Sequence, residues 1–145
     1  MEITEYSSFE QIDKKCLVDL IESGFGKKLA EDYFEYVHPS KIIVAGDYSG
    51  LMLLEKIHGD IYYLDKFVVK KEFQSNRIGR LLWNKIAESK VLWRARIDNQ
   101  VSAFYSKACH RNYICDSWNI YGINLSEEEF EHYLNYALSK KPTLF

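Results

Sequence analysis

Proline is nearly absent from this chain, with Pro39 and Pro142 the only two in 145 residues, and glycine is scarce at seven. That excludes proline-rich spacers, collagen-like repeats and strings of loosely tethered modules. Neither sign of charge dominates: 19 basic residues face 21 acidic ones, for a net charge of -2. No global positive field therefore draws the chain to nucleic acid. No apolar run approaches the ~20 residues a membrane-spanning helix needs, so no membrane association is expected. Met1 to Phe9 holds Glu2 and Glu5 and no apolar stretch, unlike a secretory signal. Cysteine is limited to Cys16, Cys109 and Cys115, which cannot all pair and show no Cys-x-x-Cys spacing. Reduced thiols in the cytoplasm are the expectation. His38, His58, His110 and His132 are scattered, without i, i+4 pairing, and no metal site is expected.

What the chain does contain is an ordinary globular balance, 47% apolar and 28% charged, and many aromatics, 15% with 11 tyrosines. A single domain over residues 1–145 is expected, with strands as well as helices. Phe9, Ile12, Cys16, Leu17, Leu20 and Ile21 recur at helical spacing and predict a first helix ending before Gly24. Leu29, Tyr33, Phe34 and Val37 predict a second helix, stopped by His38-Pro39. The period then changes to two. Ile42–Ala45, Leu51–Leu54 and Tyr62–Val69, joined by short turns, predict an antiparallel meander. A helix from Ile78 to near Ser89, a strand over Val91–Arg96, a short helix over Val101–Ala108 and a final strand or pair of strands over Tyr113–Ile123 follow. Ser126-Glu127-Glu128-Glu129 has the form of a capping box opening a last helix. The fold class is α/β, a mixed, mostly antiparallel sheet flanked by helices.

Two segments carry chemistry. In Trp93-Arg94-Ala95-Arg96, strand geometry puts Arg94 and Arg96 on one face and Trp93 and Ala95 on the other. Adjacent guanidinium groups repel, and two readings are open to them. One is a solvated face whose stems snorkel over apolar surface; the other is a grip on carboxylates or phosphates by planar forks of donors. The second segment is the passage from strand to helix, Phe67 to Arg80. A helix N-terminus there offers unpaired N–H groups suited to phosphate, Gly79 allows close approach, and Arg77 and Arg80 add positive charge. An ordinary polar loop before an amphipathic helix reads equally from these residues alone.

Gln74-x-x-Arg77-x-Gly79 resembles the Gln/Arg-x-x-Gly-x-Gly/Ala signature of the GCN5-related N-acetyltransferases, with Arg77 where the middle glycine is usual. A more specific resemblance covers Glu10 to Pro142. Ser23-Gly24-Phe25-Gly26-Lys27-Lys28-Leu29, Asp32-Tyr33-Phe34, Tyr63-Leu64-Asp65-Lys66-Phe67-Val68-Val69, Trp93-Arg94-Ala95-Arg96, Asn99, Phe104-Tyr105 and Trp118 carry it. Their order and spacing are similar to the acetyltransferase domain of N-acetylglutamate synthases, of the vertebrate and bifunctional synthase/kinase kind. The resemblance implies the GCN5-related fold and direct acetyl transfer from acetyl-CoA, a cosubstrate, to the α-amine of L-glutamate. Lys66, Arg94 and Arg96 would cradle the substrate carboxylates. Gln74, Ser75, Asn76, Arg77, Ile78, Gly79 and Arg80 would cradle the coenzyme pyrophosphate. Backbone N–H groups of Phe67, Val68 and Val69, where the strand splays from its neighbour, would polarise the thioester. Asn99 would position the amine or a water, and Tyr105 would protonate the departing thiolate. Related synthases carry an amino-acid kinase domain ahead of this one. A homo-oligomer or a separate amino-acid kinase partner is therefore expected, unless the chain is a fragment of a larger protein. Two other functions stay open: acetylation of another small carboxylate-bearing amine, and a non-catalytic acetyl-CoA- or glutamate-binding module.

Overall fold

Alternating apolar residues and tight turns produce strands wherever the sequence period is two, and the computed structural model bears this out over the residues it describes, 1–74, 77–99 and 101–145. The strands are β1 (Ile3–Tyr6), β2 (Lys41–Ala45), β3 (Gly50–His58), β4 (Ile61–Val69), β5 (Lys90–Arg96), β6 (Arg111–Cys115) and β7 (Trp118–Ile123). The helices are α1 (Lys14–Phe25), α2 (Tyr33–Tyr36), α3 (Ile78–Asn84), α4 (Ser102–Ala108) and α5 (Glu127–Ser139). The strands are hydrogen-bonded in the order β1-β2-β3-β4-β5-β7-β6. β4 and β5 run parallel, whereas β1–β2, β2–β3, β5–β7 and β6–β7 run antiparallel. No helix of the described residues is long and apolar enough to cross a membrane.

The chain forms two compact units, with β3 and β4 contributing to both. The first holds Met1–Glu55, Asp65–Lys85 and Pro142–Phe145. Its core joins Leu17, Leu20 and Ile21 of α1 to Ile42, Val44, Leu51, Leu53 and Val68 of the strands. Here α1 departs from the expected helix at both ends. Phe9–Gln11 is a separate 3-10 turn, and the helix begins only after Asp13, whose carboxylate accepts from the Cys16 N–H at 3.1 Å. It then runs through Gly24 and stops at Gly26, which takes the left-handed conformation, φ 65°. Gly24 serves approach rather than termination: a Cβ there would collide with Val68 Cγ2. Gly24→Ala should therefore cost about 1–3 kcal/mol by overpacking, measured by denaturant unfolding, and Val68→Ala in the same chain should recover most of it.

The second helix is shorter than expected. Leu29 is committed to an isolated bridge with Leu144, and the Lys28 and Phe145 backbones exchange two 2.8 Å hydrogen bonds. That extended pairing leaves only Tyr33–Tyr36 to coil. Strand β1 was not anticipated; it pairs along β2 from Ile3↔Ala45 to Tyr6↔Ile42.

The second unit holds Lys56–Leu64 and Ile86–Lys141. Ile61, Tyr63, Leu92 and Ile120 of the strands pack there with Leu125 and with Phe130 and Ala137 of α5. The capping box forms as expected, Ser126 accepting from Glu129 N–H and Glu129 accepting from Ser126 N–H. The helix expected to reach Ser89 ends at Asn84 instead. Beyond it the Asn124 amide donates to the carbonyls of Ala87 and Ser89 at 2.8 and 2.7 Å, holding that stretch in turns.

Candidate active site

In the first unit, β4 delivers the chain to the N-terminus of α3. Lys70 N–H bonds to the Ser49 carbonyl at 2.9 Å, which pins the end of β4 before a 3-10 turn over Lys71–Phe73. Gln74 reaches back to the Val69 carbonyl at 3.4 Å. Ser75 and Asn76, expected in the coenzyme cradle, lie outside the described residues. Arg77 takes φ 64° and ψ 10°, the left-handed region that glycine enters freely. The arginine thus holds a conformation that a glycine would take freely, at a cost of about 1–2 kcal/mol. Arg77 and Arg80 are exposed, Ile78 is buried, and Gly79 is half-buried. A Cβ on Gly79 would meet Phe67 Cζ at 3.5 Å and Val69 Cγ2 at 3.8 Å, ordinary contacts. Nothing among the described residues demands glycine there. Backbone donors at a helix start, flanked by exposed guanidinium groups, suit a phosphate-bearing ligand. Gly79→Ala should leave stability unchanged or slightly raised while raising KM for acetyl-CoA several-fold; a fall in Tm with unaltered KM would assign Gly79 to packing.

Lys66 also lies in this unit. It is 6% exposed, and its ammonium meets Thr143 Oγ1 at 2.8 Å, Asp65 Oδ2 at 3.1 Å and the Asp65 carbonyl at 3.3 Å. Three acceptors thus match its three donors. Asp65 in turn accepts from the Tyr33 hydroxyl at 2.5 Å. The apolar frame around Lys66 in the sequence pointed to burial but not to these partners, Thr143 of the C-terminal segment and the adjacent Asp65, itself bonded by Tyr33 of α2.

In the second unit, β5 carries the arginines on the face expected. Trp118 stands opposite Arg96 in the antiparallel register with β7, and both guanidinium groups lie on its indole. The Arg94 and Arg96 Cζ atoms are 4.0 and 4.5 Å from the ring centroid. Arg94 also donates from Nη1 to the Ala137 carbonyl at 3.1 Å, meeting the negative end of α5. No described carboxylate forms an ion pair with either arginine. An aromatic quadrupole, rather than an anion, offsets their repulsion. Two cations held together without a counter-charge are equipped to bind an anion.

The opposite face of β5 is aromatic. Trp93 stacks on Tyr121, with centroids 5.5 Å apart, and meets the Tyr105 ring edge-on at 5.4 Å. Tyr105, on α4, is 5% exposed. Burial, and then the neighbouring Tyr121, push its phenol well above the ordinary value, so it stays a proton-bearing donor across the working range. Asn99 lies between β5 and α4 and accepts from the Val101 N–H through Oδ1 at 2.8 Å. Its amide NH₂ is the end available to a ligand, which makes it a donor. Trp118 carries part of the family resemblance, but sequence reasoning left it without a role. Its pairing with Arg96 depends on a cross-strand register that no local pattern encodes.

The family of the N-acetyltransferase (NAT) of N-acetylglutamate synthase matches residues 4–138. An acetylglutamate kinase of Xanthomonas campestris pv. campestris is 32% identical over 148 residues, 95% of this chain and 34% of that protein. A mitochondrial N-acetylglutamate synthase of Danio rerio is 33% identical over 131 residues, 86% of this chain and 25% of its own length. The chain thus spans about a quarter to a third of the curated relatives it matches. Among solved structures, an aminoglycoside 6'-N-acetyltransferase complexed with coenzyme A superimposes with a TM-score of 0.60 at 15% identity, covering 87% of this chain and 99% of that one.

Proposed function

Because this chain belongs to the NAT family of N-acetylglutamate synthase, we propose that it transfers the acetyl group of acetyl-CoA to the α-amine of L-glutamate. The observation that carries the amino-acid side of this reading is the Arg94–Arg96 pair on Trp118, with no protein carboxylate on either cation. A substrate carboxylate supplies the missing charge through charge-assisted hydrogen bonds. Lys66 serves as a third substrate cation by exchanging the Asp65 carbonyl, the longest of its three bonds, for a substrate oxygen. On the coenzyme side, the N-terminus of α3 with Gln74, Arg77, Gly79 and Arg80 takes the pyrophosphate. Backbone N–H groups of Phe67 to Val69 polarise the thioester oxygen.

The free amine attacks the acetyl carbonyl carbon, the carbon–sulfur bond breaks, and the amine proton passes to water. Tyr105 donates a hydrogen bond from its hydroxyl to the departing sulfur, and Asn99 positions the amine or a water. A phenol raised by burial is a weaker acid than an ordinary thiol. Tyr105 therefore stabilises the thiolate chiefly by hydrogen bonding, and the proton finally carried by the sulfur comes from solvent. Holding the two substrates in line supplies most of the acceleration.

Residues 1–145 act in this reading as one acetyltransferase domain. The acetylglutamate kinase relatives make an amino-acid kinase, joined or separate, the partner to seek, and a homo-oligomer is the other assembly. The unpaired thiols of Cys16, Cys109 and Cys115 accord with a reducing compartment such as the cytoplasm. The test follows free CoA thiol from acetyl-CoA with a panel of amino acids. Release with glutamate and none with glutamine is expected. Acetyl-CoA binding without thiol release from any amino acid would replace the enzyme with a binding module.

A further inference from the structure

The Arg94 guanidinium has two anchors, the Trp118 indole and the Ala137 carbonyl, whereas among the described residues the Arg96 guanidinium has the indole and no hydrogen bond or ion pair. The two arginines therefore depend unequally on one ring. A guanidinium on a flexible stem loses rotamer freedom when it binds a carboxylate, and a stacked one has already lost it. The indole also sets the plane in which the fork of donors is presented, while leaving the N–H edges open. A carboxylate partner would have fixed the fork equally well but would have consumed those edges and the charge.

We propose that Trp118 is a positioning residue for recognition of the acceptor's carboxylate, acting mainly through Arg96. The proposal rests on the amino-acid site proposed above. Trp118 touches neither reacting atoms nor coenzyme in this scheme; its effect falls on acceptor affinity and on the choice between carboxylate-bearing and neutral side chains. Removing the ring frees Arg96 to sample solvent while Arg94 keeps its bond to α5. Loss of Trp118 should thus reproduce most of the defect caused by loss of Arg96.

The test combines a spectroscopic and a kinetic arm on the full chain. Arginine Nε–H resonances of Arg94 and Arg96 are expected upfield of free arginine, shifted by the ring current of Trp118. They should return toward the free value in Trp118→Leu, Arg96 furthest, and stay partly shifted in Trp118→Phe. KM for glutamate should rise about tenfold in Trp118→Leu and less in Trp118→Phe, with kcat and KM for acetyl-CoA unchanged. Arg96→Ala should add much less to Trp118→Leu than to the parent chain. Unshifted resonances in the parent, additive kinetic effects, or equal rises in both KM values would overturn the proposal. The resonances and their response to titrated L-glutamate are read without turnover. A parent chain that shows both but releases no thiol sinks the acetyltransferase reading and leaves the role of Trp118 standing.

Discussion

Replacing Arg94 with alanine is expected to raise KM for glutamate by about a hundredfold, with a much smaller change in kcat. In the proposed scheme the guanidinium supplies a parallel pair of donors to a carboxylate, and its removal leaves Arg96 as the single cation on the Trp118 ring. Arg94→Lys should recover only part of the loss, since an ammonium restores charge without the planar fork. The same substitution removes the 3.1 Å bond to the Ala137 carbonyl near the end of α5, so a modest fall in Tm accompanies it. Steady-state kinetics against both substrates separates the two effects. A defect confined to the amino acid supports carboxylate recognition. A matching rise in KM for acetyl-CoA would reduce Arg94 to a strut for α5.

Tyr105→Phe should lower kcat by about a hundredfold and leave both KM values within a few-fold of the parent. Phenylalanine keeps the edge-on contact with Trp93 and the packing against Phe104 and Tyr121, so the fold should persist. The pH dependence follows from the raised phenol. Its donor form survives beyond pH ~10, where an ordinary tyrosine ionises, while the amine nucleophile deprotonates on the way up. The parent rate should therefore climb with pH and show no alkaline fall from Tyr105 up to pH ~10. A fall between pH 8 and 10 present in the parent and absent in Tyr105→Phe would contradict the burial argument. Stability carries the opposite sign at the alkaline end. The unfolded phenol ionises near pH ~10 and the folded one later, so the stability this group contributes is complete below pH ~10 and is lost above it.

The parts of this protein that were legible in the sequence are those governed by short-range periodicity. The β2–β3 hairpin, the passage from β4 into α3 and the capped start of α5 follow from alternation, turn residues and a reciprocal cap. So does the shared face of Arg94 and Arg96. What escaped was set by contacts distant in sequence. Ile3–Tyr6 carries too little apolar pattern to announce a strand and forms one because β2 offers it an edge. Gly24 reads as a helix stop, yet it is the point where α1 comes against Val68. Leu29 fits a helical stripe, but the segment around Leu144 draws it into extended pairing. In the site the same division holds. The types and spacing of Lys66, Arg94, Arg96 and Tyr105 were readable. Their partners were not: Thr143 lies 77 residues from Lys66, and Trp118 meets Arg96 only through the β5–β7 register.

The alternation of β5 has a consequence for how this protein can diverge. Arg94 and Arg96 stand on one side of the strand with Trp118, and Trp93 stands on the other with Tyr105. In the proposed scheme the strand keeps the arginines that would choose an acceptor apart from the aromatic packing that anchors Tyr105. On the proposed reading, point changes on the arginine side retune the acceptor while the packing around Tyr105 is inherited intact, so a lineage can explore new substrates in small steps. Gain or loss of one residue within the strand is a different event. It would turn the tryptophan to the acceptor side and the arginines into the aromatic packing, and both compartments would fail together.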